Sequence, residues 1–269
     1  MRKADVFPPA SVLLSRAWWR LADRPAPVLL LGLGGSAPFA ALLLLFLKEA
    51  EAGSLTGEHG AAPMGLAFAV AGAYLLRYPF RLALARWTVL DTEGRASLPA
   101  ALGFAFVHLP TAVFYGALST LGFLGGLTIA IPFQGCFLAT FALNRFASSR
   151  EESAWTALKA STRPPLWSIG LRLLSVAATL WLCLFLLFWM APGTLLALAE
   201  WLLKTDTAAL ASLFGSFSWA AAAGVLALTA VELLWSLAYG LLAEEWRALS
   251  EGADLAATLR RLQAEREAA

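Results

Sequence analysis

Long apolar runs separated by short basic segments set the pattern of this chain. Six of them approach or exceed the roughly 20 residues that a helix needs to cross hydrocarbon about 30 Å thick. Read against their charged flanks, they predict transmembrane helices at 27–47, 63–83, 99–119, 124–144, 166–190 and 217–241. The third and fourth share one apolar block from Leu98 to Asn144, about twice what a bilayer needs at ~1.5 Å per residue. A turn must divide that block, and Ser119 to Gly126, with Gly122, Gly125 and Gly126, has the composition for one. The first run starts after Arg24-Pro25 and continues to Leu47, too long for the apolar stretch of a cleaved signal.

Between the runs the pattern turns amphipathic. In residues 10–24, Leu14, Trp18 and Leu21 recur at helical spacing, while Arg16, Arg20 and Arg24 form a second stripe at i, i+4 and i+8. Such a helix lies in the membrane interface, rings toward acyl chains and guanidiniums toward phosphates. A second interfacial helix is predicted over 150–162: Ser149 and Glu152 read as a capping box, Trp155 and Leu158 give an apolar side, and Arg163-Pro164-Pro165 ends it. Weaker versions occupy Arg95 to Leu102, the outer segment 193–204 and the tail from Ser250, with Leu255, Leu259 and Leu262. Two of these segments share Ala-Trp-x-x-Leu before Arg-Pro, at Ala17-Trp18 and at Ala154-Trp155. Either the chain is a parallel internal repeat, or every interfacial helix feeding a span meets the same demands.

Composition supports the pattern. Of the 269 residues, 59% are hydrophobic and 14% charged, and the mean hydropathy is +0.70. Soluble domains carry roughly 25% charged residues, so this chain lacks the charge to cover a water-facing surface. Disordered, collagen-like, disulfide-stapled and nucleic-acid-binding classes are excluded. Cys136 and Cys183 fall inside apolar runs and read as small buried hydrophobes, without zinc or redox spacing.

The net charge of +2 matters less than its placement. With a cytoplasmic N-terminus and six spans, all of the 20 Lys and Arg except Lys48 and Lys204 fall on the cytoplasmic side. That asymmetry is the positive-inside rule. A five- or seven-span count puts whole basic clusters on the opposite side. The tryptophans agree, with Trp18, Trp87, Trp155 and Trp246 near inner span ends and Trp189, Trp201 and Trp219 near outer ones. The fold class is therefore all-α: a polytopic helix bundle in the cytoplasmic (inner) membrane, both termini inside. The transmembrane domain covers 1–249 and a cytoplasmic amphipathic tail covers 250–269.

The segment from Pro132 through Phe141, Glu152, Ala154, Ala157, Leu158 and Ser161 to Trp167 and Gly170 resembles a group of six-helix integral membrane proteins. They are related to the membrane domain of glycerophosphoryl diester phosphodiesterases. In that group a proline in the fourth span, an acidic residue, a short Ala-Leu-x-x-Ser helix, an aromatic and a glycine lead into the fifth span. The opening Ser15-Arg16-Ala17-Trp18 before Arg24-Pro25 resembles the group's N-terminal segment. The resemblance covers most of the chain in outline. It implies a fold and, with no room here for a phosphodiesterase domain, no reaction.

Charges inside spans cost about 2.5–3.5 kcal/mol at a helix centre and mark functional positions. Glu232, in Ala230-Val231-Glu232-Leu233-Leu234, lies about 15 Å deep on the helical rise. His108 lies at similar depth in the third span, and Arg172 is roughly 10 Å inside the fifth. Glu232 is expected to touch Arg172 or His108 in an intramembrane polar cluster. Such a cluster fixes helix packing; a proton or substrate site is the functional alternative; the third alternative is that they do not meet. Arg77 and Arg81, flanking Pro79, are placed near the inner headgroups. There they join Arg16, Arg20, Arg24, Trp18 and Trp155 as anchors or ligands of anionic lipid. Gly32-Leu33-Gly34-Gly35-Ser36 lacks the strand and the Lys-Ser/Thr pair of a phosphate loop and reads as close helix packing. His59, beside Glu49, Glu51 and Glu58, has no second His or Cys to complete a metal site.

No cofactor or metal is implied, and no nucleophile has a visible partner. The chain is read as non-catalytic, a scaffold or accessory subunit presenting a basic face to anionic headgroups and to a protein partner or second copy. The alternative is the permease-type subunit of an ABC-type exporter. The chain resembles those proteins in size, six spans, N-terminal interfacial helix and small outer helix before span six. A lipid-modifying intramembrane enzyme is a third reading and needs His108 and Glu232 to line one cavity.

Overall fold

A computed structural model describes residues 8–56, 62–128, 134–148, 153–161, 164–204, 212, 214 and 216–251. Every regular element among the described residues is an α-helix. In chain order these are α1 (Ala10–Asp23), α2 (Pro25–Thr56), α3 (Ala62–Thr92), α4 (Leu98–Val107), α5 (Leu109–Thr128), α6 (Gln134–Ser148), α7 (Ala154–Ser161), α8 (Pro164–Leu203) and α9 (Phe217–Glu251).

Among the described residues, three stretches are apolar enough by length and composition to cross a membrane: Pro25–Ala50 in α2, Arg172–Leu203 in α8 and Ser218–Arg247 in α9. A fourth, α4 with the first part of α5, qualifies only as a pair bent by 75°. The bend has a local cause. Pro110 lacks an N–H and its ring crowds the carbonyl four residues back, which favours a break at 106–110 and a restart with proline in the first turn. The span expected at 99–119 is thus two helices meeting at His108.

Other expected boundaries are corrected. Helix α5 continues through the glycines of 119–126 to Thr128, so the turn expected there is helical. The outer helix expected at 193–204 is the last part of α8, a 40-residue helix that continues through Pro192. It ends at Lys204, in the left-handed region (φ 52) with its N–H bonded to the carbonyl of Glu200 at 2.9 Å. Cys183 is exposed rather than buried. Helix α7 is capped by Ser153, whose Oγ accepts the Thr156 N–H at 3.2 Å. Ser149 and Glu152 of the expected capping box lie outside the described residues, as do His59 and the tail beyond Glu251.

Helix α3 runs well past the apolar stretch 63–83 and stops where Gly94 (φ 71) allows it. The N–H of Arg95 reaches back to the carbonyl of Leu90 and that of Gly94 to Asp91, the bonding of a glycine-terminated helix. Trp87 and Thr88 in its last turns are buried. The same end of the bundle gathers three other segments. Arg16 donates to Glu245 at 2.6 Å, and Arg20 donates to Thr92 at 2.7 Å and pairs with Glu244 at 3.5 Å. Arg86 donates to the carbonyl of Ala147 at 3.0 Å and Arg247 to that of Ser148 at 2.7 Å. Helix α1 therefore lies on α9 through Leu13 and Ala17, and the ends of α3, α6 and α9 meet beside it. Tyr115 donates to the carbonyl of Ala154 at 2.7 Å, tying α7 to α5.

The core between α2, α3 and α9 depends on glycine. A Cβ on Gly35 would stand 2.9 Å from Cβ of Phe80 and 3.1 Å from Cα of Arg77. One on Gly32 would overlap Leu233 of α9. The Gly32–Ser36 stretch is a helix-packing surface, with Ser36 donating to the carbonyl of Gly32 at 2.9 Å.

Candidate functional site

On α3, Tyr74, Arg77, Tyr78 and Arg81 recur at i, i+3, i+4 and i+7, the spacing that puts side chains on one face. That face meets Glu232 of α9. Arg77 Nη2 pairs with Glu232 Oε2. Arg81 Nε donates to Glu232 Oε1 at 2.7 Å, and Arg81 Nη2 pairs with the same oxygen. The Arg77 and Glu232 side chains are 5% and 8% exposed and that of Arg81 is 20% exposed, so the three form a centre inside the bundle.

Aromatic rings surround the guanidiniums. The Arg77 guanidinium carbon lies 4.4 Å from the Phe39 ring centre and 5.1 Å from that of Tyr74, and the Arg81 carbon lies 4.9 Å from Tyr78. Ring faces are electron-rich, and a desolvated cation over one gains about 2 kcal/mol. The Tyr74 and Tyr78 hydroxyls are 3.2 Å apart. Small residues bring neighbouring helices close enough to enclose the group. Gly35 of α2 faces the Arg77 backbone, and Gly116 of α5 faces the Tyr78 ring, 2.7 Å from where a Cβ would stand.

The three expected members of the intramembrane cluster go to different places. Glu232 is buried, but its hydrogen-bonded partners are Arg77 and Arg81. His108 is half-buried at the α4–α5 bend, its ring 4.5 Å from Phe104 and 5.1 Å from Phe146. Arg172 is exposed on α8. Among the described residues no hydrogen bond or ion pair joins Glu232 to either. The physical reason is register. Glu232 lies about 18 Å above Glu244 along α9, and Arg81 and Arg77 lie about 16 and 22 Å above Thr92 along α3. Thr92 and Glu244 touch at 3.3 Å, so parallel helices in that register bring the charges to one level.

The basic residues assigned to the lipid face divide in the same way. Arg77 is withdrawn from any surface, and Arg81 largely so. Arg16 and Arg20 are tied to Glu245 and Glu244 of α9, while Arg24 stays exposed. Trp18 and Trp155 are exposed, at 56% and 67%. Glu244, Glu245 and Thr92, which hold α1 in place, carry no sequence signal beyond being polar at a helix end. Arg77 and Arg81 did carry one: paired with Tyr74 and Tyr78 at helical spacing, they share a face with two aromatic rings.

Chemically the centre binds charge and fixes geometry. Two cations and one anion leave it with an excess of one positive charge. None of the atoms described around it is a hydroxyl or thiol nucleophile paired with a base. Neither a protein-family model, nor a curated protein, nor a solved structure matches the chain.

Proposed function

We infer that this chain is a six-span protein of the cytoplasmic membrane with both termini inside, acting as a non-catalytic scaffold or accessory subunit. The observation that carries the reading is that Glu232, the acidic group deepest in the bundle, is engaged by two arginines from α3. A charge held this way locks α9 to α3 and is not free to shuttle protons or bind a substrate cation. The gathering of Arg16, Arg20, Arg86 and Arg247 at one end of the bundle supports a single basic face, as retention of short basic loops requires. Exposed Trp18, Trp155 and Arg24 at that face suit anionic headgroups and a protein partner. Crosslinking in native membranes before mild-detergent extraction tests the reading. A discrete homo- or hetero-oligomer is expected, and monomer alone overturns it.

The permease-type reading keeps one specific support. Helix α7 is a short helix between α6 and α8 that presents an exposed Trp155, a suitable contact for a soluble ATPase. It loses another, because the separate outer helix before span six is continuous with α8. An ATPase encoded beside this chain should bind the purified protein if the permease reading holds, and failure to bind removes it.

A further inference from the structure

The Arg77–Glu232–Arg81 centre is unbalanced. Glu232 is the one acidic side chain that meets the two guanidiniums among the described residues. Burying an uncompensated charge is costly, and rings over a cation soften that cost without cancelling the charge. Arg77 is also incompletely bonded, since its buried Nε has no acceptor. Arg81 engages Glu232 through Nε and Nη2 yet keeps a fifth of its side chain exposed, so the centre is reachable from one side.

We propose that this centre is a binding site for one singly charged oxyanion, a phosphate or carboxylate group. Guanidinium is the side chain suited to such a ligand, because its planar N–H donors match two oxygens at once. A phosphodiester in a lipid headgroup and free inorganic phosphate both offer that chemistry. The site differs from the basic face in depth and composition: its cations are inside the bundle, and the two share one carboxylate.

The test uses the purified full-length protein, delipidated in neutral detergent, with thermal unfolding followed at constant ionic strength. Phosphatidylglycerol, diacylglycerol (which lacks the phosphodiester) and sodium phosphate are added in turn. An anionic species at roughly a hundredfold excess over its Kd should raise the Tm by about 5 °C. A response to phosphatidylglycerol alone assigns the ligand to lipid, and a response to phosphate as well assigns it to the free anion. Arg81→Gln leaves a neutral Arg77–Glu232 pair and should abolish the response. Glu232→Gln removes the competing carboxylate and should tighten half-saturation by about tenfold, the scale of one close unit charge. Arg81→Lys keeps the charge and should keep part of the response, which guards against a folding defect in Arg81→Gln. Native mass spectrometry of the wild type and Arg81→Gln gives a second reading of the bound anion. No anion effect beyond that of diacylglycerol, or equal responses in the wild type and Arg81→Gln, overturns the proposal.

Discussion

Glu232 concentrates the residue-scale physics of this protein. Removing one partner of a buried ion pair strands the other, at a cost of about 3–5 kcal/mol. Glu232→Gln should therefore destabilise the bundle by that order, read as a lower midpoint in detergent unfolding. Arg77→Met combined with Glu232→Gln should lose less than the sum of the single changes, because no fully buried charge is then stranded. Glycines give an independent test. Gly35→Ala sets a methyl against the Arg77 backbone and should cost about 1–3 kcal/mol, since α2 and α3 must part. Gly103→Ala in the middle of α4 meets nothing within 4 Å and should gain about 0.5–1 kcal/mol from helix propensity. That contrast separates packing glycines from incidental ones, which composition cannot do.

At the scale of elements, α1 is the informative case. Its limits were legible almost to the residue, from the amphipathic spacing and from Pro25, but its buried side runs through Leu13 and Ala17, beside the Leu14, Trp18 and Leu21 stripe, and Trp18 stays exposed. Its arginine stripe was misdirected, toward phosphates, because an amphipathic stripe reports a polar neighbour without saying whether lipid or protein supplies it. The two bridges should differ in strength. Arg16–Glu245 is 53% and 33% exposed, within the range where such pairs contribute about 0–1 kcal/mol. Arg20–Glu244 is 17% and 20% exposed and shares Thr92 with α3. Glu244→Gln should thus loosen α1 more than Glu245→Gln, measured as faster amide exchange over 10–23. The reverse order would show that the exposed bridge holds the helix. The α3 boundary teaches a related lesson. Arginines at 77, 81 and 86 look like the end of a span, yet the stop signal is Gly94, and the turns between are covered by other helices.

For the whole molecule, the proposed topology gives a direct test by thiol labelling. With Cys136 and Cys183 replaced by serine, Arg24→Cys and Arg95→Cys should react only after the inner face is exposed. Lys204→Cys should react from outside. Labelling of Arg95→Cys from outside would break the six-span scheme, whichever way Lys204→Cys reacts. Helix α8 bears on the same scale. At 40 residues it is about 60 Å long, roughly twice the hydrocarbon thickness. One end of it therefore projects beyond a bilayer or the helix lies tilted.

The sequence by itself determined that this chain is helical and membrane-seeking, where most helices begin, and that its basic residues cluster by segment. Those properties follow from local chemistry: apolar run length, capping residues, proline and glycine. The tertiary structure alone decided which charges meet. The sequence offered Glu232 only His108 and Arg172 and set Arg77 and Arg81 near the headgroups; that the last two are its partners rested on helix register. Register comes from glycine-mediated approach of α2, α3 and α9, a property of three helices together that no single stretch of sequence encodes.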